Sequence, residues 1–166
     1  MFVINQIHTS WDSYQIVQCR DGEFKNNVIY FGRTEGFPYN RSVWVQNPQT
    51  QPETFVFANN LWYCIADPSN SMPDWQTLEG LYGCPQHSDN ITGDPLFLSS
   101  APELPVDFFL RAQSPARGMG LVLNDIDRDF FDRYYAVPNR SIGAFEITEN
   151  NAPPMAPRSP AIIFVK

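Results

Sequence analysis

The sequence predicts an all-β chain in which about three coils stack as a short β solenoid and a loop-rich segment closes the C-terminal side. Three observations predict it. A seven-residue pattern centred on asparagine recurs without gaps in the first part of the chain. Proline is scarce early and dense late. Aromatic residues make up 14% of the chain against 17% charged, a balance that suits pleated surfaces, where aromatic and β-branched side chains pack well.

The repeat is Val3-Ile4-Asn5-Gln6-Ile7-His8-Thr9, then Phe24-Lys25-Asn26-Asn27-Val28-Ile29-Tyr30, then Phe57-Ala58-Asn59-Asn60-Leu61-Trp62-Tyr63, at steps of 21 (3 to 24) and 33 (24 to 57) residues. Each copy reads apolar, variable, Asn, Asn or Gln, apolar, variable, Tyr or Thr. Period-two alternation puts Val3, Phe24 and Phe57 on one face, followed on the same face by Ile7, Val28 and Leu61. The Asn pair suits a sharp bend, because Asn tolerates the left-handed region and its amide can bond the Asn of the next turn. A second strand type, Gln15-Ile16-Val17-Gln18 and Val43-Trp44-Val45-Gln46, falls between the copies. Such coils cannot bury their own apolar face and must stack on neighbours. The longer step then means one coil with a loop insertion, at Arg33 to Arg41 or Asn47 to Glu53. An antiparallel sandwich is the alternative. Hairpin turns favour Asn-Gly or Asp-Gly, however, and the repeat bends are Asn-Gln and Asn-Asn.

Only Pro38, Pro48 and Pro52 of the 15 prolines fall in the first 60 residues. Proline cannot donate to a ladder and breaks helix interiors, so the later chain reads as loops with short strands. Asn124 to Tyr134 is the best helix candidate, and its apolar spacing is irregular. The chain reads as one domain: coils over 1–66, a loop-rich cap over 67–146, and a Pro-rich tail over 147–166. No apolar run approaches the roughly 18 residues of a membrane span. The first 15 residues lack the pattern of a signal peptide. The formal net charge is −7, spread along the chain, which argues against nucleic acid because phosphate contacts dominate that affinity. Cys19, Cys64 and Cys84 are too few for a disulfide scaffold. Buried thiols are the favoured reading, with a Cys64–Cys84 bridge the alternative.

The later segments supply a resemblance. Gly93-Asp94-Pro95-Leu96-Phe97-Leu98 is followed by Asp107-Phe108-Phe109-Leu110, Ser114-Pro115-Ala116, the acidic stretch Asp125 to Arg133, and Ile142-Gly143-Ala144-Phe145-Glu146. This order resembles the closing segment of right-handed parallel β-helix proteins of the pectate-lyase-like kind. The resemblance implies a short right-handed parallel β-helix of about three coils, and it implies secretion or the periplasm. Polysaccharide lyases, glycoside hydrolases and carbohydrate-binding surface proteins share that architecture, with reacting residues usually on earlier coils. Here Val3 already lies in a coil strand, and this departs from the family by lacking most coils. Catalysis by this chain alone is therefore not the expectation.

A uronate lyase needs a base, often with Ca²⁺ to neutralise the carboxylate. Lys25, outward after Phe24 between Ile4 and Ala58, is the candidate base, although a solvated surface lysine is the plainer reading. Glycoside hydrolysis needs paired carboxylates. Asp21 and Glu23 share a face of an extended segment, and Asp12 could join them. Asp125-x-Asp127-x-Asp129 fails as an EF-hand, with Phe130 at the sixth position and Ala136 at the twelfth. Cys84-x-x-His87 has metal-ligand spacing but lacks a full zinc set. No cofactor follows beyond that calcium alternative. Lastly, His8, Ile29 and Trp62 align outward on successive turns, with Trp44 a further candidate on the second strand type. Stacked exposed aromatics would make a sugar platform.

Two functions follow. One is a carbohydrate-binding or polysaccharide-processing remnant using Lys25, Trp62, His8, Trp44, Asp21 and Glu23. The other is a structural or interaction module without a small ligand. Its open solenoid end exposes strand edges that a partner or another copy must cover, giving a homo-oligomer through end-on coil or tail contacts.

Overall fold

The computed structural model describes residues 2–4, 7–8, 16–17, 20–32, 43–45, 51–76, 83–135 and 138–146, the strands before residue 20 by their backbone pairing alone. Strand dominates: β1 (Phe2–Ile4), β2 (Ile7–His8), β3 (Ile16–Val17), β4 (Glu23–Lys25), β5 (Val28–Phe31), β6 (Val43–Val45), β7 (Val56–Ala58), β8 (Leu61–Cys64), β9 (Gln86–Ser88) and β10 (Ile91–Thr92). Short 3-10 turns occur at Pro52–Thr54, Pro68–Asn70 and Pro105–Phe108. Among the described residues no helix is long and apolar enough to cross a membrane.

Two three-stranded parallel sheets, β4-β7-β9 and β5-β8-β10, form the centre of the fold. They meet at two-residue corners, Asn26-Asn27, Asn59-Asn60 and Asp89-Asn90, which stack on one another. The first residue of each corner is left-handed, with φ 59° at Asn26, 50° at Asn59 and 51° at Asp89. Asn and Asp enter that region at least cost among residues with a Cβ.

The second residue of each corner builds a hydrogen-bond ladder. Asn27 donates from its backbone N–H (2.9 Å) and its Nδ2 (3.0 Å) to Asn60 Oδ1. Asn60 repeats the pair onto Asn90 Oδ1, at 3.1 and 2.9 Å. Each of the next two amides also closes a backbone carbonyl, Asn60 Nδ2 on Phe24 O at 2.8 Å and Asn90 Nδ2 on Phe57 O at 2.7 Å. Asn60 is fully buried, so this satisfaction is what makes a polar corner tolerable in the interior.

The corner resets the side-chain phase. Strict alternation would keep Phe24 and Val28 on one face, but the left-handed residue between them flips the chain. Phe24, Phe57, Ile29 and Trp62 point into one core with Val43, Phe55 and Trp75. There the Phe24 and Phe57 rings stack at 4.7 Å. Val28, Leu61 and Ile91 point the other way, into a second core with Leu110, Ala116, Ile142 and Phe97.

That second core is where the later motifs act. Phe97 bridges Leu110 antiparallel, and Ile142 N donates to Ala116 O at 2.8 Å. Corner side chains grip the passing loop. Asn26 Nδ2 donates to Leu121 O and Asn26 Oδ1 accepts Leu121 N–H, both at 2.7 Å, while Asn59 Nδ2 donates to Met119 O at 3.1 Å. Gly120 is needed between them, because a Cβ there would lie 2.6 Å from the Ser141 carbonyl oxygen. Farther on, the carboxylate of Asp129 accepts Arg133 Nε at 2.8 Å and the N–H groups of Phe131, Arg133 and Glu146 at 2.9, 3.0 and 3.1 Å. Burial opposes the charge on Asp129 most strongly of any single effect. The Arg133 and backbone donors together outweigh it and hold the carboxyl below the usual carboxylate range.

Several expectations change. The described strands of the first repeat copy do not pair with β4 and β5: β1 pairs in parallel with β6, and β2 pairs antiparallel with β3. Ile16-Val17 and Val43–Val45 therefore lie in different sheets rather than forming one strand type. β9 and β10 add a third strand to each parallel sheet, so the sheets extend to residue 92. Asn124–Tyr134 makes turns and an Arg128–Tyr134 bridge, not a helix. The insertion candidate at 33–41, most of that at 47–53, and the tail 147–166 lie outside the described residues.

Two outcomes follow. In urea unfolding, Asn60→Ala should cost about 3 kcal/mol, since it strands the Asn27 donors on one side and takes a donor from Phe24 O and Asn90 Oδ1 on the other, and Asn27→Ala only about 1 kcal/mol. Equal losses would mean that the ladder does not carry the corner. For Asp129 the folded pKa lies below the unfolded value, so its contribution is present above about pH 4 and fades as pH falls through the folded pKa. The wild-type melting temperature should therefore drop steeply on acidification. Asp129→Asn should start lower at neutral pH and respond less, and parallel curves would refute the assignment.

Candidate functional site

At the β4–β5 end of the two sheets, backbone groups face outward. Gly22 O accepts Val56 N–H at 2.8 Å and Asn26 N–H donates to Ala58 O at 3.2 Å. Alternation then turns the N–H and C=O of Glu23 and Lys25 away from β7. On β5, Asn27 O and Phe31 O accept Leu61 and Ile65 N–H, each at 2.9 Å. Val28 and Tyr30 therefore present their backbone groups outward. Between these two edges sits Asn27, and among the described residues no donor reaches its Oδ1. The ladder ends there on an open acceptor.

Beside this edge lies a mostly apolar pocket of about 620 Å³. Its lining from the sheets is confined to the first corner and β5 (Asn26, Asn27, Val28, Tyr30), with nothing from β8 or β10. The cap supplies the other walls, chiefly Phe97, Phe108, Phe130 and Phe145. Phe97 meets Tyr30 edge-on at 5.4 Å and Phe108 at 5.3 Å, and Phe130 meets Phe145 at 5.7 Å. Asp107 fixes the turn that carries Phe108. Its carboxylate accepts the Leu104 and Glu103 N–H groups at 2.9 and 3.0 Å, and those bonds lower its pKa. Phe130 is 67% exposed, unusual for a ring this large and a mark of surface that can be covered.

The residues singled out from sequence separate. Lys25 pairs with Glu23 at 2.8 Å, with the Glu23 side chain 63% exposed. Asp21 sits in a left-handed turn with its carboxylate 3.5 Å from Arg20. Trp62 is not on an outer face. It is fully buried, its ring 6.2 Å from both Phe57 and Trp75, because the corner flip turns it inward with Ile29. A platform of His8, Ile29 and Trp62 is therefore not formed. The strands carry His8 and Trp44 in different sheets, β2 and β6, and their side chains lie outside the described residues, as does Cys19. Lys25 keeps Ala58 as its neighbour, whereas Ile4 pairs with Val45.

Cys64 and Cys84 are not bridged to each other. His87 stacks on Trp75 at 4.7 Å. Among the described residues no group of three or more His, Cys, Asp or Glu could hold a metal ion, and Asp129 of the acidic stretch is taken by Arg133. Sequence reasoning missed the pocket, although most of its aromatic or apolar walls, among them Phe97, Phe108, Leu110, Phe130, Ile142 and Phe145, lie inside the quoted motifs. No family model, no curated protein and no solved structure matches the chain.

Lys25→Ala should change stability by less than about 1 kcal/mol, since its pair is exposed on the Glu23 side. Trp62→Ala should cost about 3–5 kcal/mol through the cavity it leaves. Denaturant midpoints decide it. A mild Trp62→Ala with normal unfolding cooperativity would return that ring to the surface.

Proposed function

We propose that this chain is the closing part of a right-handed parallel β-helix, and that it works as an interaction module whose open β4–β5 end pairs with a strand of another polypeptide. The observation that carries the reading is the end of the ladder. Asn27 Oδ1 takes no donor among the described residues, and two adjacent strands turn outward backbone groups that no further described strand pairs, Lys25 O being held by Asn27 Nδ2 at 3.1 Å. Unpaired edges of this kind recruit strands, and β-augmentation is the recurring way in which they bind. The stacked corners and the order of the later motifs support the β-helix, and the acidic surface fits a protein partner better than a nucleic acid.

The carbohydrate reading is the weaker one. It asked for outward aromatics, and Trp62 lies in the core. Lys25 is already paired to Glu23, which leaves no free base beside the Asp21 and Glu23 carboxylates.

Hydrogen exchange at single-amide resolution tests the proposal. In the isolated chain the amides of Glu23, Lys25, Val28 and Tyr30 should exchange at least about tenfold faster than those of Phe24, Ile29 and Phe31. Uniform protection would mean that the edge is already closed, and the interaction reading would fall. A defined ligand on a glycan array would restore the carbohydrate reading.

A further inference from the structure

We infer that the aromatic pocket is the specificity pocket of this open edge, and that its occupant is an uncovered strand from a partner chain carrying an amide side chain followed directly by a large apolar residue. The inference rests on the interaction reading above and names what that site would recognise.

The register defines the occupant. Strands in this sheet pair in parallel with no slip, Val28 opposite Leu61 and Leu61 opposite Ile91. A strand added to β5 in the same register sets one residue opposite Asn27 and the next opposite Val28. At each existing rung the first of these is an asparagine, and its N–H and Nδ2 together donate to one Oδ1. Asn27 Oδ1 offers the same acceptor to the newcomer. The next residue emerges on the face of Val28, which itself lines the pocket. There the side chain meets Phe97 and Phe108 on the cap and Phe130 and Phe145 farther along. An apolar side chain fits the aromatic walls, and an acidic one would be stripped of water beside the Glu103 carboxylate that also lines the pocket. Main-chain pairing would supply general affinity and the pocket the choice of side chain, as in other strand-addition sites.

A second copy stacked end-on is the other occupant to weigh, and the structure disfavours it here. Its exposed β9–β10 edge would have to offer Ile91 to the pocket. Ile91 is already packed against Leu110, Ala116 and Ile142 of its own cap. Pro115 also lies against Gly93 on that side, 3.1 Å from where a Cβ would stand. The pocket therefore calls for a bare strand.

Fluorescence anisotropy with a labelled synthetic peptide tests this. The peptide copies residues 22–32, GEFKNNVIYFG, and so presents the Asn-Val pair without a cap. It should bind the full chain. Asn27→Ala or Val28→Asp made in the peptide should each weaken binding about tenfold or more. Ala144→Trp in the protein, at an exposed wall of the pocket, should do the same with its melting temperature unchanged. Equal binding of the wild-type and substituted peptides, or indifference to Ala144→Trp, overturns the inference. So does a failure of the wild-type peptide to bind. If the edge amides nevertheless exchange fast, the open-edge reading survives that failure; if they are protected, both readings fall. Concentration-dependent dimers seen by light scattering and insensitive to Ala144→Trp would assign the edge to a second copy instead and also overturn the pocket's role.

Discussion

The fold depends on how three polar corners are satisfied, the middle one at full burial. Each places a left-handed Asn or Asp followed by an asparagine between two apolar sheets, where an unsatisfied amide would cost more than the corner could return. The ladder through Asn27, Asn60 and Asn90 removes that penalty by having every rung complete its neighbour. Each rung leans on its neighbour, because the Asn27 and Asn60 amides find their side-chain acceptors on the next corner. Stacking is thus demanded by the hydrogen bonds as well as by the apolar faces, and the two demands agree on one register.

Because the corner inverts the side-chain phase, one strand pair serves two cores. The inner core collects Phe57, Trp62 and Val43, and the outer core collects Leu61, Leu110, Ala116 and Ile142. The long irregular segment after β10 is therefore a structural layer rather than a trailing loop. It covers the outer face, is gripped by Asn26 and Asn59, and is closed by Asp129 and Arg133. The pocket arises where this layer and the edge strand meet without filling the space between them.

The legible part of the sequence was chemical. Asn26-Asn27 and Asn59-Asn60 announced bends that stack, and the quoted motifs of the later segment all fall at cap contacts. The third strand of each parallel sheet was hidden because His87 stands where Phe24 and Phe57 stand, and Asp89 replaces the first asparagine; both substitutions keep the geometry and erase the pattern. Trp62 was misplaced for a different reason. Period-two counting assumes continuous extended backbone, and a single left-handed residue breaks that assumption without any trace in hydropathy. The pocket was invisible because its walls come from residues far apart in the chain, Tyr30 and Phe145 among them, which only the packed cap brings together.

The ladder also has a direction. Every rung gives protons toward the Asn90 side and receives them from the Asn27 side, so the stack is a row of aligned amide dipoles with an oxygen at one extremity. Two such extremities brought together by a two-fold axis would set acceptor against acceptor with no proton between them. Isologous pairing at this end is thereby disfavoured, and an assembly formed through it is heterologous, with one chain giving and the other receiving.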